Sequence, residues 1–178
     1  TFVELFVVGG LLAMISVLVM QFLSHESDFW ELSMYHTHLR SQAEQTMDRV
    51  VGELRNATRT NATVPPNATL VAPDHLQFYL PTDLDGNGLI VDANGNTEWD
   101  IVNPIDYQYL AASEQLHRLD GSGVQVLSSD VLSVVFDDQT TDPSLYADEV
   151  RIRLTLQTIT PHQRTVSVTS SSVVELRN

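Results

Sequence analysis

The chain has 178 residues, 43% hydrophobic and 18% charged, which excludes disorder as a description of the whole and leaves room for one domain plus an appendage. Its 23 acidic residues against 9 basic ones, all nine of them Arg, give a formal charge of −14, so phosphate backbones are repelled and nucleic-acid binding is not expected. With no cysteine there is no disulfide framework, thiolate metal site or cysteine nucleophile, and stability has to come from burial.

In chain order, the first element is the uncharged run Leu5 to Leu23, interrupted only by the polar Ser16 and Gln21. As a helix these 19 residues span roughly 28 Å, close to the ~30 Å hydrocarbon core of a bilayer. A secretory signal would show a basic leader and a shorter apolar stretch, whereas here Thr1, Phe2 and Val3 precede the acidic Glu4, so the run reads as a retained membrane segment. An ionised Glu4 at the edge of hydrocarbon requires a cation. The first base in the chain is Arg40, too far along the same helix, so the expected partner is an α-amino group, the chain's own or a neighbour's.

The opening TFVELFVVGGLL, with Glu4 followed at once by the apolar run, resembles the mature N-terminus of bacterial type IV pilins and type II secretion pseudopilins, the class III prepilin pattern. In that family a signal ending in Gly is removed and an N-methylated Phe becomes the first residue. Glu4 stands one place earlier than the family pattern, so the resemblance implies a methylated Phe ahead of Thr1, with Glu4, Thr1 and Phe2 as the assembly residues. MDRVVGELRNA (Met47 to Ala57) and VTSSSVVELRN (Val168 to Asn178) are similar to J-type pseudopilins and W-type minor pilins. One departure is the missing Pro two-thirds along the apolar run, where the only helix weakeners are Gly9 and Gly10.

From Ser24 to Arg55 there is no Pro and one Gly, and Leu32, Tyr35, Leu39, Ala43, Met47, Val50 and Leu54 recur in steps of three, four and seven. This predicts one helix over 1–55, bare in its membrane or filament-core half (1–23) and amphipathic in 24–55. Residues 56–74, with Pro65, Pro66 and Pro73, read as an exposed loop, since proline excludes helix and central strand. Asn56, Asn61 and Asn67 each begin an N-x-T sequon there and are candidate glycan sites, with nearby Thr residues that suit O-linked sugar.

Residues 75–178 read as an antiparallel sheet domain, with strands at His75 to Leu80, Leu89 to Val91, Tyr107 to Ala111, Gln115 to Leu119, Val124 to Leu127, Val131 to Phe136, Val150 to Ile159 and Thr165 to Leu176. In VRIRLTLQTI the alternation predicts that Val150, Ile152, Leu154 and Leu156 face the core. The expected fold class is α+β, one sheet laid on the Leu32 to Leu54 stripe. The resemblance makes this a pilin fold.

Asp83-Leu-Asp-Gly-Asn-Gly88 places oxygen side chains at alternate positions of a tight turn and resembles the opening of a calcium loop. Candidate Ca2+ ligands are Asp83, Asp85, Asn87, the Leu89 carbonyl and Asp92, with Asp92 or Glu98 completing the shell; Asn94 occupies the EF-hand glutamate position, so an EF-hand is not supported. The same residues also read as two turns, at Asn87-Gly88 and Asn94-Gly95, on an acidic surface. His36 and His38 are two apart and diverge on a helix, and no Gly-x-Ser-x-Gly or phosphate-loop lysine occurs, so no enzyme activity is expected.

The combined expectation is a structural subunit of a type IV pilus-like extracellular filament. It would be held in the inner membrane as a precursor, and its partners would be other copies of itself and the pilus or secretion assembly machinery. A minor pilin or a secretion pseudopilin is the first alternative. A membrane-anchored calcium- or glycan-binding surface module that never polymerises is the second.

Overall fold

The computed structural model describes residues 1–57, 68–72 and 74–176. One helix, α1, runs unbroken from Phe2 to Leu54. Eight strands follow: β1 (Ala68–Ala72), β2 (His75–Phe78), β3 (Ile105–Leu110), β4 (Gln115–Asp120), β5 (Gly123–Ser128), β6 (Val131–Asp137), β7 (Glu149–Ile159) and β8 (Thr165–Glu175). They form two antiparallel meanders, β1-β2-β3-β4-β5 and β6-β7-β8, so the α+β layout holds but the expected single sheet is two.

The division falls where the chain turns at Asp130, a non-glycine residue with φ 58°. There the Val131 N–H donates to the Glu114 carbonyl and the Gln157 N–H to the Asp130 carbonyl. The Tyr109 hydroxyl donates to the carbonyls of Val131 and Leu132 at 3.0 and 2.9 Å. These bonds tie the second sheet to the β3–β4 hairpin without a continuous ladder, an arrangement that alternation within single strands does not encode.

The helical stripe performs as its spacing predicts. Leu39, Ala43, Met47, Val50 and Leu54 are buried, and Leu32 and Tyr35 pack partly against the same cluster. Facing them are Leu76 and Phe78 of β2, Tyr107 of β3 and Leu116 of β4 from the first sheet. Phe136 of β6 and Val150, Ile152, Leu154 and Leu156 of β7 come from the second. In β7 buried and less buried residues alternate through Leu156, the period that puts successive side chains on opposite faces.

A polar network crosses this core. The Tyr107 hydroxyl donates to Glu53 Oε2 at 2.8 Å, and Arg118 Nε bonds both Glu53 oxygens at 3.0 and 2.9 Å while its Nη1 pairs with Asp120. Burial pushes the Tyr107 hydroxyl far up, with the neighbouring Glu53 charge adding to it. For Arg118 burial works the other way, but the hydrogen bonds and charges of Glu53 and Asp120 outweigh it and hold the guanidinium protonated. The last turn of α1 is thereby locked to the centre of the first sheet.

Two predicted segments differ. The 56–74 loop contains β1, whose Thr-Leu-Val run is short and strand-prone. It lies at a sheet edge, where flanking prolines are tolerated, so the proline argument excludes only a central strand. Leu89 to Val91 is not a strand; only Val91 bridges to Thr97. The side chains of Asp83, Asp85, Asn87 and Asp92 take up backbone N–H groups locally there and compete with a ladder.

Candidate functional site: the apolar helix and the acidic loop

Every residue of α1 from Phe2 to Ser24 is exposed, including Leu5, Phe6, Leu11, Leu12, Ile15, Leu18, Val19 and Phe22. Nothing lies within 4 Å of a Cβ built at Gly9 or Gly10. A helix apolar on all sides and covered by nothing among the described residues needs lipid or other proteins around it. Its length and composition suffice to cross a bilayer. The hydroxyls of Ser16 and Ser24 donate to the carbonyls of Leu12 and Met20, at 2.8 and 2.9 Å, so both are satisfied without water.

At the start of the helix the Thr1 ammonium pairs with the Glu4 carboxylate within the same chain, and both groups are exposed. Glu4 also sits in the first turn, where the helix dipole favours an anion. Phe2 stands beside Phe6, ring centroids 6.4 Å apart. The carboxylate thus faces the start of the helix, where the expected α-amino partner would stand.

The β-domain touches the helix at Glu31, whose Oε2 lies 2.7 Å from Nδ1 of His162 in the β7–β8 turn. Sequence spacing located the buried stripe, but no sequence signal marked this His162 contact, which joins residues 131 positions apart.

The acidic loop occupies 83–98. Asp83 accepts the N–H groups of Gly86, Asn87 and Gly88 at 2.8, 3.1 and 2.7 Å, and Gly86 and Gly88 supply the positive φ values, 75° and 83°, that this wrap requires. Asp85 Oδ1 accepts the Asn87 N–H and Oδ2 its side-chain amide. The Leu89 N–H donates to Asn87 Oδ1, and Glu98 Oε2 accepts the Leu84 N–H at 2.6 Å. Ligand oxygens of Asp83, Asp85 and Glu98 lie within 4.8 Å of one another. Asp92 is placed in the adjoining turn, where Oδ1 accepts the N–H groups of Asn94 and Asn96, each at 2.8 Å. The structure therefore gathers Asp83 and Asp85 with Glu98, the sequence alternative, and not with Asp92.

Of the three sequons, Asn61 and Asn67 lie outside the described residues. Asn56 is exposed just past the end of α1, and its amide nitrogen donates to the Gly52 carbonyl at 3.1 Å. That bond engages the atom that would carry an N-linked sugar.

Among the described residues, the carboxyls of Asp83, Asp92, Asp120 and Asp142 are held below the ordinary Asp value of 3.8. The leading causes are the Gly88 N–H at Asp83 and the Asn96 N–H at Asp92. The Ser122 hydroxyl, followed by Arg118, lowers Asp120, and the Ser144 hydroxyl lowers Asp142. Groups with depressed folded-state values bind protons more readily when unfolded, so their contribution is present above 3.8 and lost as pH falls through the folded values. The melting temperature is therefore expected to drop below about pH 4, with no loss from these groups between pH 7 and 5. A melting temperature unchanged from pH 5 to 2.5 would contradict this assignment.

Comparison of the chain with models of known protein families, with curated proteins and with solved structures finds no match to any of them.

Proposed function

We propose that this protein is a structural subunit of a type IV pilus-like filament, a pilin in fold and role, whose helices bundle through residues 2–23 while the β-domains form the outer surface. The observation that carries this reading is the helix itself. One rigid 53-residue rod has a lower half apolar on every side and an upper half docked into an α+β domain. Lipid satisfies the lower half before assembly, and copies of the same helix satisfy it afterwards. The N-terminal likeness to pilins and pseudopilins supports the family reading, and Glu4, which faces the start of its helix, is the element that would position each incoming subunit by pairing with an α-amino group.

Because the chain has no cysteine, a single Leu12→Cys is a clean probe. Cross-linking of fibres sheared from cells is expected to give dimers through this position, and fibres that yield only monomer would contradict a bundled core. Before assembly the subunit belongs to the inner membrane, and after it to the cell surface.

Calcium remains part of the proposal, now with Asp83, Asp85 and Glu98 as the ligand set. The three carboxylates offer hard oxygen ligands without His or Cys, which selects calcium over zinc. For the full chain in detergent, calcium at about 100 times its dissociation constant is expected to stabilise the fold by about 2.7 kcal/mol. Asp83→Ala combined with Asp85→Ala should abolish the increment. Equal melting in millimolar calcium and in chelator, at matched ionic strength, would reduce the loop to an ordinary pair of capped turns.

A further inference from the structure

We propose that Phe29 and Trp30 form an interfacial anchor, seated in the headgroup layer of a zwitterionic phospholipid bilayer while the subunit is in the membrane. In this position they fix the height at which the β-domain stands. The inference rests on the membrane-resident precursor described above and goes beyond it.

The helix is a ruler. It continues without a break from the apolar run through Leu23 into the docked half, so the distance of each residue from the hydrocarbon is set by the rise alone. Trp30 lies seven residues beyond Leu23, about 10 Å along the axis at ~1.5 Å per residue. Headgroup layers add roughly 5–8 Å on each side of the hydrocarbon. Helical side chains lean back toward the N-terminus, here toward the bilayer, and a tilted helix lowers them further, so the indole and phenyl rings reach the headgroup level although their Cα atoms lie above it.

Nothing in the described chain competes for these rings. Phe29 is 70% exposed and Trp30 72%, three and two residues before Leu32, the first residue of the stripe that packs on the core. The β7–β8 turn reaches the helix at Glu31 through His162. The arrangement is therefore an apolar span, a short polar step that includes Ser24 and Glu26, then an aromatic pair, then the domain. Large amphipathic rings at that height are where membrane proteins concentrate Trp. The lipid charge follows from the neighbours. Glu26 and Glu31, on a chain of net charge −14, disfavour an anionic surface.

The test uses the full chain in phosphatidylcholine vesicles. Trp99→Phe leaves Trp30 as the sole tryptophan of the two in the chain. Flotation with the vesicles reads insertion separately, and a chain that does not float overturns the membrane reading and the anchor together. In floated protein, Trp30 emission is expected to be blue-shifted from its position in water. It should be quenched more strongly by a spin label on the headgroup than by one deep in the acyl chains, and quenching should persist as protein is diluted into lipid. Trp30→Phe with Trp99 retained should lose the headgroup quenching, a control independent of how well the Trp99→Phe variant folds. Water-like, unquenched emission in floated protein overturns the anchor alone. Protection that disappears on dilution also overturns it, because the cover would then be a second copy of the helix.

Discussion

Glu4→Ala is expected to leave the protein in the membrane fraction at ordinary abundance and to eliminate surface fibres. The carboxylate borders the exposed apolar run Leu5 to Leu23, which in the proposed filament would become the interior of a bundle. An unpaired charge there costs several kcal/mol, and an α-amino group is the nearest available cation. Glu4 faces the start of its own helix, so in a chain that carries a methylated Phe ahead of Thr1 the amine of that Phe is the partner within reach before assembly. Exchange of that partner for the amine of the preceding subunit preserves the charge balance while creating a contact between copies. Removing the carboxylate leaves the amine unpaired in the bundle but leaves the apolar run intact, which is why anchoring survives and polymerisation does not. Glu4→Gln should behave alike, since it keeps shape but not charge. Ordinary fibre yield from Glu4→Ala, measured by shearing and electrophoresis, would show that no such exchange occurs.

The second large effect concerns the folded domain. Arg118→Leu strips the cation from Glu53 and Asp120 while Tyr107 remains buried beside Glu53. Breaking a buried pair from one side costs about 3–5 kcal/mol. Glu53 keeps a fifth of its side chain in solvent and retains Arg49 at 3.6 Å, so a cost below that range, about 2–3 kcal/mol, is the expectation. For a domain of this size that lowers the melting temperature by roughly 5–10 °C. Arg151→Leu, which removes a more exposed partner from Asp142, should cost under about 1 kcal/mol. Glu53→Gln combined with Arg118→Met should recover part of the loss, because no uncompensated charge then remains. Equal destabilisation by Arg118→Leu and Arg151→Leu would mean that the Tyr107, Glu53 and Arg118 cluster does not lock helix to sheet.

Those two sites differ in how far the sequence disclosed them. Glu4 stands out in one dimension because a lone carboxylate borders an uncharged run, and both ends of that statement are local. The Leu39 to Leu54 stripe and the Val150 to Leu156 alternation are legible for the same reason, since burial on one face imposes a period of 3.6 or 2. Glu53 and Arg118 are separated by 65 residues, and nothing in their local context distinguishes them from solvated charges. The split into two sheets was likewise hidden, because it depends on which strands exchange hydrogen bonds and not on which faces are apolar. In the acidic loop the residue types pointed to the turn in which Asp83 and Asp85 lie together. The choice of Glu98 over Asp92 depended on the chain folding back by 14 residues to meet Leu84, which spacing within the motif does not reveal. β1 was obscured by the prolines around it.

In the proposed filament the bare half of α1 bundles with copies of itself. Negative-stain microscopy of fibres sheared from the cell surface, with intact-mass analysis of their main protein band, tests it most directly. The account predicts thin helical fibres whose main band is this chain, with a methylated Phe ahead of Thr1. Cells that carry the protein in their membranes yet shed no fibre containing it, or a mature chain with an unmodified Thr at its terminus, would contradict the account.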